Sequence, residues 1–174
     1  MKSEAITIKY DYITNVIYSD VFVDLHFEEG HSQRQGNINC FRGLWDTGAN
    51  ITGISSRVIQ ALNPQPFGAT HIKGTNGDRD ETTYLISLGL APYDTTLIIP
   101  AIEVSHCDFG GRADVLIGTD VIFLGDMAIT NRKNQTWFTF RAPSLQRFDF
   151  KTVKIREDAG CTCGSGRKYK NCCK

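Results

Sequence analysis

No stretch of this 174-residue chain approaches the roughly 20 apolar residues of a membrane span. The longest apolar run, Leu97 to Val104, already contains Pro100 and Glu103. The opening residues, MKSEAITIKYDY, hold no unbroken apolar segment, so a cleaved secretion signal is not expected. Prolines number five against sixteen glycines, and the glycines show no three-residue period, which excludes a collagen-like chain. Internal repeats, low-complexity tracts and a G-x-x-x-x-G-K-S/T phosphate loop are all missing. What is present is ordinary: 41% hydrophobic and 22% charged residues, a balance that excludes wholesale disorder. The expectation is a soluble, cytoplasmic protein with one ordinary domain and no room for a second full-sized one.

Net charge is also missing, but only in the sum. Residues 1–150 carry 12 Lys and Arg against 17 Asp and Glu, a net of −5. Residues 151–174 carry seven against two, a net of +5. The body therefore has no basic field for nucleic acid, which is not an expected partner.

Helix signals are few. Ser55 stands at the N-cap position of a short helix through Leu62, stopped by Asn63-Pro64, and Val121 to Leu124 has room for one more turn. β signals dominate instead. Val16 to Phe27 is rich in β-branched and aromatic residues and ends in a Glu-Glu-Gly turn. Ile38 to Trp45, Thr82 to Leu90, Thr95 to Val104, Met127 to Thr130 and Thr136 to Arg141 read likewise, with Asn131 to Asn134 as the turn joining the last two. Many short strands with too few helices for parallel crossovers predict an all-β barrel or sandwich. The predicted organisation is a domain over 1–143, a linker or final strand over 144–158, and a module over 159–174. Within the linker, Arg147 to Val153 is the candidate strand.

Four of the six cysteines lie in the last 14 residues, CTCGSGRKYKNCCK. A segment of about 20 residues cannot bury enough to fold unaided, so a cross-link or a metal is needed. Disulfides suit a cytoplasmic chain poorly, whereas four thiolates make a closed tetrahedral zinc site whose binding energy becomes folding energy. Cys161, Cys163, Cys172 and Cys173 are the candidate ligands of a structural zinc. Arg167, Lys168, Lys170 and Lys174 would offset its negative charge, and Gly164 and Gly166 permit the intervening loop. A disordered basic tail is the alternative. The run from Cys161 to Cys173 resembles the SEC-C zinc motif. That resemblance covers these residues alone and implies zinc and, in many members, docking of a protein partner.

Within the body, Gly43-Leu44-Trp45-Asp46-Thr47-Gly48-Ala49-Asn50-Ile51-Thr52 sets Asp-Thr-Gly-Ala directly after an apolar strand. The order suits a reactive carboxylate. The strand delivers Asp46 to a cleft floor, the Thr47 hydroxyl can bond across a symmetric partner, and Gly48 lets backbone N–H groups approach the carboxylate. Alone, the triplet is also an ordinary turn. Asp114-Val115-Leu116-Ile117-Gly118-Thr119-Asp120 follows 68 residues later, and Ile72 to Asp78 between them is a polar hairpin tip. Strand, DTGA, strand, hairpin, strand, LIG, helix resembles the plan of the retropepsin-like aspartic proteases, over residues 16–141. The resemblance implies a closed barrel with Asp46 as the catalytic aspartate and Thr47 and Gly48 as its cradle. Thr75, Asn76 and Gly77 would be the substrate flap, and Leu116-Ile117-Gly118 the segment behind the catalytic loop. Trp45, Asn50 and a flap without a glycine-rich tip depart from the retroviral pattern and bear on substrate preference.

Proteolysis of this type needs two carboxylates sharing a proton, and the chain has one Asp-Thr-Gly. Asp114 and Asp120 lack the following Thr/Ser-Gly and read as turn or helix-cap residues. The implied protein is a homodimeric aspartic endopeptidase acting on peptide or protein substrates, with structural zinc and no membrane association. Two alternatives stay open: a non-catalytic peptide-binding or adaptor protein with a relic barrel, and a zinc-stabilised structural protein whose DTG is only a turn. The remaining candidates read as structural. Cys40 is expected in the core, and the aromatics near Phe138 and Phe148 as barrel packing. His106 and Cys107 alternate across a strand and cannot pair, and His26, His31 and His71 lack metal-ligand spacing.

Overall fold

The computed structural model describes residues 4–26, 39–74, 77–90, 98–107, 109–149, 151, 156–161, 163 and 165–172. In chain order its elements are β1 (Glu4–Tyr10), β2 (Ile17–Leu25), β3 (Cys40–Trp45), β4 (Gly53–Ile54) and α1 (Ser56–Leu62). There follow β5 (Pro66–Gly74), β6 (Gly77–Gly89), β7 (Ile98–His106), β8 (Val115–Ile117), α2 (Thr119–Ile122), β9 (Asp126–Arg132) and β10 (Gln135–Ala142). A 3₁₀ turn, Tyr169–Asn171, lies in the tail. Among the described residues the chain is all-β with two short helices, as expected. No helix among the described residues is long and apolar enough to cross a membrane.

Alternation along the strands decides which faces meet. In β2, Ile17, Val21 and Val23 are buried while Asp20 and Asp24 face out. The strands β2-β3-β8-β4-β7-β6 are hydrogen-bonded in that order, and β2 also pairs antiparallel with β6 from Phe22↔Gly89 to Leu25↔Ile86. That second pairing closes the ring into a barrel, leaving β5 as the outer arm of a hairpin with β6. A second sheet, β1-β10-β9, is built from the two ends of the domain. Its β9–β10 turn is tight: only Lys133 and Asn134 are central, both with positive φ (54° and 61°), the two-residue hairpin geometry that Asn favours.

Phe138 and Phe140 fasten this second sheet to the barrel. Their rings lie 4.7 and 5.0 Å from that of Trp45, whose Nε1 donates to Ser19 Oγ at 2.9 Å. Truncating a buried ring of this kind costs about 3–5 kcal/mol.

Several expectations need correction. Cys40 is exposed, because it shares the outward-alternating face of β3 with Arg42. Phe148 is 58% exposed, because it lies six residues past the last strand in an open pocket with Met127, Ala128 and Thr139. The second helix starts at Thr119, two residues earlier than read. Ser55 occupies the N-cap position of α1 but makes no side-chain cap bond, while Asn63 ends the helix in the left-handed region as its position suggested. Residues 147–149 carry no strand, and the rest of that candidate lies largely outside the described residues.

Candidate functional site

Asp46 is the first residue past β3, where the strand runs parallel to β8 with Trp45 opposite Ile117. Its own N–H donates to Ile117 O at 3.0 Å, so the backbone is held at the point where the carboxylate begins. The side chain is half-buried, and its Oδ1 accepts the Gly48 N–H at 2.8 Å. A Cβ at Gly48 would stand 3.1 Å from that same oxygen, so a larger residue would have to shift the carboxylate by a few tenths of an ångström. Thr47 and Gly48 are both exposed beside it.

The loop after Asp46 is tied to the LIG segment at three levels. Ala49 O accepts both the N–H and the hydroxyl of Thr119, at 2.8 and 3.1 Å. Thr52 donates its N–H to Asp120 Oδ2 at 2.8 Å and its hydroxyl to Asp120 Oδ1 at 2.7 Å. The same hydroxyl accepts the Gly118 N–H at 3.1 Å. Gly118 must be glycine, because a Cβ would come within 2.8 Å of the Ile51 carbonyl carbon. Asp120 is thus a clamp holding the Asp46 loop. The turn or helix-cap reading needs correction: Gly118 holds the N-cap position, Asp120 lies in the first turn of α2, and its bonds to Thr52, 68 residues away, are what hold the loop. Asp114 is likewise structural, accepting Arg42 N–H at 3.0 Å and Arg57 Nη1 at 2.8 Å.

The hairpin expected to carry the flap is formed by β5 and β6, paired as far as Gly74↔Gly77. Gly77 adopts φ +102°, a conformation that side chains resist. Thr75 and Asn76 lie outside the described residues. On the arms, His71 Nδ1 is 2.8 Å from Asp80 and its Nε2 3.7 Å from Asp78. His106, set aside on sequence grounds, contacts Ser56 Oγ through Nε2 at 3.0 Å, a partner 50 residues away that no local pattern reveals.

In the tail, the sulfurs of Cys161, Cys163 and Cys172 all lie within 4.8 Å of one another. Cys173 lies outside the described residues. A short hairpin makes the cluster: Cys161 N–H donates to Arg167 O at 2.7 Å, and Gly160 bridges to Lys168. Gly166 turns the chain at φ +75°. The Cys163 thiol is held down to about 6, first by the Ser165 hydroxyl and backbone N–H, then by Cys161 and Cys172. Three convergent thiols, one favouring the thiolate, fit a soft tetrahedral metal such as zinc.

Residues 159–174 match the SEC-C motif. The chain is similar to a retropepsin-like aspartic protease from Rickettsia conorii, at 14% identity over 81% of this chain and 96% of that one, with a TM-score of 0.49. It is also similar to simian foamy virus (mac) protease, at 13% identity over 61% of this chain and 91% of that one, with a TM-score of 0.36. A comparison with curated proteins finds no match.

Proposed function

We propose that this chain is an aspartic endopeptidase working as a homodimer, its reacting water held between Asp46 and the partner subunit's Asp46. The mounting of Asp46 carries the reading. An accessible carboxylate sits at a strand end, receives a backbone N–H from Gly48, and stands on a loop clamped by Thr119 and Asp120. A plain turn needs none of that clamping.

Two carboxylates in contact cannot both stay ionised, so the pair shares one proton. The ionised member takes a proton from water as the water oxygen attacks the peptide carbonyl carbon. The protonated member gives its proton to the carbonyl oxygen. Collapse of the resulting diol breaks the C–N bond: the leaving nitrogen takes a proton from the protonated carboxyl while a diol hydroxyl gives its proton to the ionised one, which restores the singly protonated dyad. Activity is then bell-shaped in pH. Exposed Phe123 and Leu124, directly after α2, offer apolar surface to the second copy. Thr75, Asn76 and Gly77 would close over bound peptide.

Cys161, Cys163 and Cys172, with Cys173 as the fourth ligand, would hold a structural zinc. It supplies folding energy to the tail, and four thiolates leave no position for a reacting water. A protein partner docking on this tail, and the cytoplasmic setting that suits thiolate ligands, belong to the same reading.

The test is cleavage of a peptide library by zinc-loaded wild type and by Asp46→Asn protein. Wild type should cut and the variant, still folded, should not. Binding without cleavage by wild type would replace the enzyme with the adaptor reading.

A further inference from the structure

Away from the Asp46 loop, three elements bring a hydroxyl, an imidazole and a carboxylate into line. Ser56 opens α1, Glu81 lies on the arm of β6, and His106 ends β7. Ser56 Oγ is 3.0 Å from His106 Nε2. On the other side of the ring, Nδ1 is 3.5 Å from Glu81 Oε2. The second oxygen of Glu81 pairs with Arg79 Nε at 2.5 Å, which fixes the carboxylate in place.

The order of the groups matters more than their proximity. An ionised carboxylate 3.5 Å away can only accept, so it favours the tautomer with the proton on Nδ1. Nε2 is then left with a lone pair facing the serine hydroxyl. That is the arrangement in which an imidazole removes a serine proton, with the acid orienting the base. Exposure follows the same sequence: Ser56 is open to solvent, the His106 side chain is 34% exposed, and Glu81 sits deeper at 16%. A strut joining α1 to β6 would need neither the tautomer nor the open hydroxyl.

We propose that Ser56, with His106 as its base and Glu81 as the orienting carboxylate, is a nucleophilic site that accepts an acyl group from a small activated ester. In the step, Ser56 Oγ bonds to the acyl carbon while its proton passes to His106 Nε2. The ester C–O bond breaks, and the departing alkoxide or aryloxide takes that proton from His106, returning the ring to neutral. Water can later reverse the sequence: it delivers its oxygen to the acyl carbon and a proton through His106 to Ser56 Oγ. Asp46 takes no part, so the site stands whether or not the peptidase reading does.

The experiment treats the full-length protein with p-nitrophenyl acetate, following nitrophenolate release and locating the acetyl group by peptide mapping. The expected result is preferential acetylation of Ser56. A positioned general base contributes about 10²–10⁴-fold, so His106→Gln should slow that acetylation by about 100-fold at an unchanged melting temperature. Glu81→Gln should slow it less, and Ser56→Ala should abolish it. Acetyl groups scattered over lysines and other hydroxyls, with no excess at Ser56, would overturn the proposal. So would a folded His106→Gln protein acetylated at the wild-type rate. The wild-type map decides the matter even if the His106 variant fails to fold.

Discussion

In the β domain Ile86, Leu88, Val104, Phe138 and Phe140 are at most 1% exposed, whereas Cys161 is the one buried side chain among the described residues of 156–172. The two regions also carry opposite charge, −5 over residues 1–150 and +5 over residues 151–174. The body is ordered by removing apolar surface from water. The tail has almost none to remove, and its three convergent sulfurs stand where a core would be. On the proposed zinc reading, order by burial and order by ligand coexist in one chain, and they should fail under different insults.

On that reading, chelation is the largest such insult. Structural zinc sites of this size hold about 10–16 kcal/mol of apparent binding energy, all of it folding energy. Chelation should therefore unfold the tail and leave the barrel standing. Hydrogen exchange would check this through loss of protection at tail amides such as Cys161 and Tyr169, with the barrel amides unchanged. Simultaneous loss across β6 and β7 would mean that the two regions are one cooperative unit.

The converse insult is Phe138→Ala, which should cost the body about 3–5 kcal/mol in denaturant unfolding. Zinc content per chain should not change. Smaller again is Thr52→Val, which removes the hydroxyl joining Asp120 to the Gly118 N–H and leaves that buried donor unpaired. About 1–3 kcal/mol of stability should go with it, and peptidase turnover should fall further than substrate affinity because the Asp46 loop is loosened.

Much of this division can be read from the residues. The apolar run into Asp46, the Leu-Ile-Gly segment and the cysteine string are each local patterns. Local pattern fails where a contact spans the chain. β1 is short and alternates only Ile6, Ile8 and Tyr10 inward, and its partner β10 begins more than 120 residues later. β4 and β8 are two and three residues long, too brief for any periodicity, yet they lock the Asp46 loop to the barrel. Cys40 misleads because composition alone cannot say which face of β3 is inward. Phe148 misleads because, past the last strand, it lies beside Met127 and Thr139 in an open surface pocket and not in the core.

The mildest prediction concerns the junction between the regions. Asp126 accepts bonds from the Ser144 hydroxyl, the Leu145 N–H and the Arg141 guanidinium, and these hold its carboxyl well below the usual carboxylate range. A depressed folded value adds stability above the unfolded value, about 3.9, and that stability is lost as pH falls through the folded one. Thermal melts should therefore show wild type exceeding Asp126→Asn near neutrality, with the gap closing below about pH 4. A gap constant with pH would remove Asp126 as the anchor of residues 144–146.

The central claim is that two copies of Asp46 act together, and subunit mixing tests it most directly. Wild-type protein is equilibrated with increasing amounts of Asp46→Asn protein, and peptide cleavage is measured per wild-type chain. If only wild-type pairs are active, an equal mixture should retain roughly half the cleavage per wild-type chain, falling further as the variant is added. Cleavage per wild-type chain that stays constant through a large excess of exchanging variant would contradict the dyad, and the homodimeric aspartic peptidase with it.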